Sequence, residues 1–134
     1  MTRILETALY APNLVETAAF YERVIGLERF MALEGRHVFF RLGDQMLLLF
    51  DPAASAVPPP PEAIEVPLHG QTLVGHICFS AQPAGIEAWA ERLSQHGVAI
   101  ERVVDWPQGG RSLYFRDPAG NSVEIAEPRI WGLA

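Results

Sequence analysis

The sequence predicts an α+β fold of two tandem βαβββ modules, forming a curved mixed sheet around a concave pocket with the helices outside. Three observations carry that prediction. The order strand, helix, strand, strand, strand runs twice along the 134 residues. Residue pairs recur in matching places: Glu22-Arg23 with Glu91-Arg92, Glu28-Arg29 with Glu101-Arg102, Phe40-Arg41 with Phe115-Arg116, as internal duplication requires. The strands also alternate, each with one wholly apolar face and one mixed face. The chain reads as a single domain over 1–134, with module one at 1–51, a Pro-rich connector at 52–72, module two at 73–127 and an apolar tail at 128–134.

Taken in order, Ile4 to Tyr10 is the first strand. Asn13 is placed to cap a helix, with Glu16 three residues on in capping-box spacing. Leu14, Ala18, Tyr21 and Ile25 recur at helical spacing, and Gly26 is the stop. Runs at Leu27 to Leu33, Arg36 to Leu42 and Gln45 to Phe50 are strands, separated by the turn pairs Glu34-Gly35 and Gly43-Asp44. The connector has four successive prolines from Pro58 to Pro61, which favours an extended, semi-rigid segment crossing the surface between halves.

Module two repeats the plan. Strand Leu73 to Ser80 leads to Pro83 as first helical residue. Ile86, Trp89, Ala90 and Leu93 form the apolar stripe, and His96-Gly97 closes the helix. Strands follow at Val98 to Asp105, Arg111 to Arg116 and Ser122 to Ala126. Trp106 to Arg111 reads as a mobile hairpin loop at the pocket mouth. The tail, with Ile130, Trp131 and Leu133, is apolar enough to pack on this chain or on a second subunit.

A formal charge of −6 without a basic patch argues against nucleic acid, whose binding rests on phosphate neutralisation. No apolar run reaches the roughly 20 residues a membrane span needs, and the N-terminus lacks the build of a signal peptide. A lone cysteine, Cys78, excludes an internal disulfide framework, and the expected compartment is the cytoplasm.

Alternation assigns the inner face. From module one it takes Glu6, Ala8, Tyr10, His37, Phe39, Arg41, Met46, Leu48 and Phe50. From module two it takes His76, Cys78, Ser80, Ser112, Tyr114, Arg116, Ser122, Glu124 and Ala126. Leu9, Ile77, Phe79, Leu113, Phe115, Val123 and Ile125 face the helix-covered core. Burying carboxylates with an imidazole costs several kcal/mol unless they are paired, hydrated or bound to a cation, so this face is the expected site.

Gly75-His76-Ile77-Cys78-Phe79, and the run from Tyr114 through Asp117-Pro118-Ala119-Gly120-Asn121 to Ile125, resemble the second-module patterns of the vicinal oxygen chelate superfamily. That group includes glyoxalase I, bleomycin-resistance and fosfomycin-resistance proteins, and extradiol dioxygenases; the resemblance spans essentially the whole chain. It implies metal ligands at Glu6, His76 and Glu124, with Glu6 in place of the common histidine and Leu48 in place of a fourth ligand. One imidazole and two carboxylates suit one divalent ion of Mn, Fe, Ni, Co or Zn. The implied chemistry is chelation of two vicinal substrate oxygens, with the choice among lyase, isomerase, transferase and oxygenase open.

Tyr114 matches a tyrosine that hydrogen-bonds substrate in extradiol dioxygenases, and a pocket-wall aromatic is the equal alternative. His37 is a candidate acid or base, or a solvated hairpin residue. Arg41 and Arg116 can clamp an anionic group or pair with carboxylates at the rim. His69, Cys78, Phe39 and Leu48 complete the expected substrate surface. The partners expected are a small-molecule substrate and a second copy in a homodimer. The alternative function is metal-free sequestration of a small molecule, favoured by Tyr10, Phe39, Met46, Leu48 and Phe50 on the inner face.

Overall fold

A computed structural model describes residues 1–134, which divide into two units, Met1–Gly75 and His76–Ala134. Each contains the expected βαβββ order and one open, mixed four-stranded sheet.

In the first unit, β1 (Glu6–Tyr10), β2 (Glu28–Leu33), β3 (His37–Leu42) and β4 (Gln45–Phe50) lie in the order β1-β4-β3-β2. The β1 strand runs parallel to β4, and the remaining pairs are antiparallel. Helix α1 (Leu14–Phe20) continues into a π-helical turn, Tyr21–Ile25, and ends on Gly26 at φ 86. Its stripe of Leu14, Ala18, Tyr21 and Ile25 is buried with Leu9, Val38, Phe40, Leu47 and Leu49, the apolar face that alternation assigned to the core. Asn13 takes the cap position of α1 without the side-chain cap bond that the capping-box spacing predicts; its amide instead donates to Glu16 Oε2 at 3.1 Å and accepts from Thr17 Oγ1 at 3.3 Å.

One irregularity lies outside strict alternation. The register between β2 and β3 shifts between Arg29 and Met31, a bulge that sends Phe30 and Met31 to the same side. The Arg41 guanidinium then sits 4.4 Å above the Phe30 ring.

The connector departs from an extended surface crossing. It opens with a short helix, α2 (Pro52–Ser55), capped by the Asp51 carboxylate, which accepts from Ala53 N at 2.9 Å. The segment beyond folds over the inner face of the first sheet. Its backbone returns to α2, with His69 N donating to Ser55 O at 3.1 Å. The physical reason is the apolar inner face of this sheet, which prolines and aliphatic residues cover better than water does.

In the second unit, β5 (His76–Ser80), β6 (Arg102–Asp105), β7 (Arg111–Arg116) and β8 (Ser122–Ala126) repeat the topology as β5-β8-β7-β6. Helix α3 (Ile86–Gln95) turns Ile86, Trp89, Ala90 and Leu93 inward, as the spacing predicts. Two sequence boundaries run long: β5 begins at His76 rather than Leu73, and β6 at Arg102 rather than Val98. Pro83 is not the first helical residue. It lies in the preceding turn, because the chain passes through Gly85 at φ 92, ψ 160 before the helix can begin. After β8 the tail forms a 3₁₀ turn, Pro128–Trp131, in which Ile130 abuts Gly110 while Trp131 stays exposed.

Candidate functional site

Strand β8 is central, between β5 and β7, so Glu124 has neighbours on both sides. Its register partners are Cys78 on β5 and Tyr114 on β7, with His76 and Ser112 on the diagonals. The β7–β8 hairpin that sets this register is held by Asp117. Its Oδ1 accepts from Ala119 N and Asn121 N, each at 2.9 Å, and its Oδ2 accepts from Asn121 Nδ2 at 2.9 Å.

Glu124 is buried, 6% exposed. Ser112 Oγ donates to its Oε2 at 2.6 Å, and Trp106 Nε1 donates to Ser112 Oγ at 2.9 Å. The other carboxylate oxygen, Oε1, lies 3.2 Å from His76 Nε2. His76 Nδ1 lies 3.0 Å from the Ser122 carbonyl, which can only accept, so Nδ1 carries a proton. That bond fixes the imidazole and presents Nε2 and Oε1 side by side at the exposed end of a buried carboxylate. Such a pair is stable with Nε2 protonated, or with a cation taken by both lone pairs.

The flanking groups respond to this anion. Burial, and then the Glu124 charge, push the Cys78 thiol up to about 12, although the residue keeps accessible surface. The Tyr114 phenol is raised by burial and then by Glu124, so it stays a proton donor near neutrality. Its ring lies 6.2 Å from that of His76 in a stacked orientation.

The structure thus brings His76, Glu124, Cys78 and Tyr114 together within the second unit. Arg116 is engaged elsewhere: it pairs with Glu101 through Nε at 3.2 Å and Nη2 at 3.1 Å, and Nη1 donates to Gly120 O at 3.0 Å. Arg41, in the first unit, covers Phe30. Ser112 and Trp106 carry the site's supporting hydrogen bonds without having been assigned any role from sequence. The available signal was spacing, since Ser112 is two residues from Tyr114 on the same face.

In the first unit, register places Glu6, Ala8, Leu48, Phe39 and His37 where the second has His76, Cys78, Glu124, Tyr114 and Ser112. The same geometry therefore carries an apolar surface in one unit and a polar one in the other. Leu48 and Phe39 line a hollow of about 700 Å³, with Glu6 at its edge and His69 on the connector side. The Tyr10 hydroxyl bonds His69 Nδ1 at 2.6 Å, pinning the connector to β1. His37 stacks on Phe39, and its pKa is lowered by burial and then by Arg36.

A divalent cation suits the His76–Glu124 pair by donor type, one imidazole nitrogen and one carboxylate oxygen. No group of three or more His, Cys, Asp or Glu side chains is placed to hold such an ion, so the pair accounts for two ligands. No helix is long and apolar enough to cross a membrane.

Comparison with known proteins agrees with this architecture. The sequence model of the Glyoxalase/Bleomycin resistance protein/Dioxygenase superfamily matches residues 3–125. Among solved structures, a lactoylglutathione lyase from Agrobacterium tumefaciens is 45% identical, with 99% of this chain and 98% of that chain covered and a TM-score of 0.90. A virulence protein from Salmonella typhimurium is 22% identical over 95% of this chain and 97% of that one, at a TM-score of 0.71. TioX from Micromonospora sp. is 16% identical over 94% and 98%, at 0.70. The last two show a shared fold only. No curated protein sequence matches the chain.

Proposed function

The chain belongs to the Glyoxalase/Bleomycin resistance protein/Dioxygenase superfamily, and from that membership we propose a divalent-metal-dependent enzyme, a lyase of the glyoxalase kind, acting on a small substrate with vicinal oxygens. The observation that carries the reading is His76 Nε2 held 3.2 Å from Glu124 Oε1, with both groups oriented by second hydrogen bonds. The 45% identity to a lactoylglutathione lyase supports the reaction class.

His76 and Glu124 would supply two ligands to the ion, the metal being one of Mn, Fe, Ni, Co or Zn. When bound, such an ion polarises a coordinated oxygen and lowers the pKa of the attached group. The protein's own part follows from the geometry. Ser122 keeps the His76 ring from turning, and Ser112 keeps the Glu124 carboxylate from rotating. Tyr114, protonated at neutral pH, donates a hydrogen bond to substrate. Cys78, the register partner of Glu124, lines the substrate surface beside the pair. We place the enzyme in the cytoplasm as a homodimer; exposed Phe30, Met31 and Leu33 on β2 support the assembly.

Metal analysis of protein purified without chelator tests the proposal. Stoichiometric metal that disappears in His76→Ala and in Glu124→Ala is the expected result. Metal-free wild-type protein that takes up none of the five ions would sink it. A second reading, sequestration of a small molecule without metal, draws its support from the apolar hollow of the first unit. It predicts ligand binding that is equal with and without EDTA.

A further inference from the structure

The carboxylate oxygen of Glu124 that is not beside His76 ends a chain of two hydrogen bonds, and the polarity of that chain is fixed. The Trp106 indole N–H can only donate, and it lies 2.9 Å from Ser112 Oγ. The serine oxygen therefore accepts from Trp106 and gives its own proton to Glu124 Oε2, at the 2.6 Å of a charge-assisted O–H···O⁻ bond.

Such a chain is stiff only if its far end is. A serine bound to Glu124 alone could follow a turning carboxylate from one staggered rotamer to the next. Bound to the indole as well, Ser112 keeps only the χ1 that serves both partners. The indole in turn stands on a clamped turn. Trp106 N donates to Gly110 O, and Gly109 N donates to Trp106 O, each at 3.0 Å. Arg111 closes the base of the turn on Asp105, through Nε at 2.6 Å and Nη2 at 3.2 Å, and its backbone N donates to Glu127 Oε1 at 2.9 Å. Ser112 is fully buried whereas Trp106 keeps 38% of its surface, so the fixed end of the chain lies at the protein surface.

The two carboxylate oxygens are thereby given different tasks. Oε2 is committed to the serine, and Oε1, 3.2 Å from His76 Nε2, is the one presented beside the imidazole. We propose that Trp106 is a positioning residue for the His76–Glu124 pair: acting through Ser112, it commits Oε2 and leaves Oε1 as the oxygen offered to a divalent cation. For the cation this rests on the metal reading above, whereas the orientation of the pair stands without it. The turn between β6 and β7 thus governs the site from outside it, with the indole as its point of action.

The test is NMR of the whole chain, with histidine Hε1 and tryptophan indole N–H signals followed in EDTA and then during titration with zinc. In EDTA, Trp106→Phe should move the His76 signal and leave that of His96 in place, and Ser112→Ala should do the same. Zinc added to the unaltered chain should shift the Trp106 indole signal, with those of Trp89 and Trp131 unmoved. Zinc affinity should fall about tenfold in Trp106→Phe and at least as far in Ser112→Ala. The double variant should bind within about twofold of Ser112→Ala alone, because Trp106 acts through the serine. Additive losses, a His76 signal indifferent to Trp106→Phe in EDTA, or equal zinc-induced shifts of all the indoles would overturn the assignment. A wild type that takes up no zinc counts against the metal reading, while the response of His76 in EDTA still decides for or against Trp106.

Discussion

Glu124 shows how one buried charge organises its neighbours. A carboxylate at 6% exposure needs partners, and it has Ser112 on one oxygen and His76 on the other. Removing the serine hydroxyl leaves Oε2 short of a donor and Trp106 Nε1 short of an acceptor. Ser112→Ala should therefore lower stability by about 1–3 kcal/mol, seen as a drop in melting temperature of several degrees. Cys78 offers a pH prediction from the same charge. Its thiol stays protonated well above the usual range, so at about pH 8 it should react with a thiol reagent far more slowly than an ordinary cysteine near 8.5. Glu124→Gln should speed that reaction. Because the folded-state pKa is raised from 9.0 to about 12, its contribution to stability is fully present below 9.0 and is lost as the pH rises through the folded value.

At the scale of elements, the hairpins and the tail decide how precisely the strands are held. Gly110 sits at φ 95, and a Cβ there would lie 2.6 Å from Ile130 Cγ2 and 3.2 Å from Ile130 N. Gly35 sits at φ 73 with nothing within 4 Å of its Cβ position. Gly35→Ala should cost only the left-handed backbone strain, about 1 kcal/mol. Gly110→Ala adds a clash with the 3₁₀ turn and should cost distinctly more, measurable by comparing the two variants in urea. Trp106 lies at the other end of that hairpin, so the larger perturbation should also change tryptophan fluorescence. The comparison tests whether the apolar tail has a packing role through Ile130 despite its exposed Trp131.

For the whole molecule, the assignment of roles between the two modules is the consequential feature. One fold is used twice, with an apolar inner face in the first copy and a polar one in the second. A duplicated sheet allows this because the helix-covered face alone must stay apolar for stability, which leaves the inner face to vary. The β2 strand, exposed along its whole length, carries Phe30, Met31 and Leu33 as open apolar surface. If a second copy covers it, light scattering should return twice the 14.8 kDa chain mass. Substituting Phe30 and Met31 together with serine should then halve the measured mass. A wild-type mass of one chain would end the homodimer proposal.

Much of this was legible before any coordinates. Alternation assigned every inner and core residue of β1, β3, β4, β5, β7 and β8 to the side it occupies, because a period of two leaves no choice once one face is apolar. The helical stripes of α1 and α3 were equally plain. Tertiary structure decided what depends on contacts between distant residues: the bulge that turns Phe30 and Met31 together, the fold of the connector over the first sheet, and the Tyr10–His69 bond across 59 positions. It also decided that Trp106 and Ser112 brace Glu124. Local pattern records which face a side chain takes, whereas the partner it meets there is set by register and packing, which no single stretch of sequence contains.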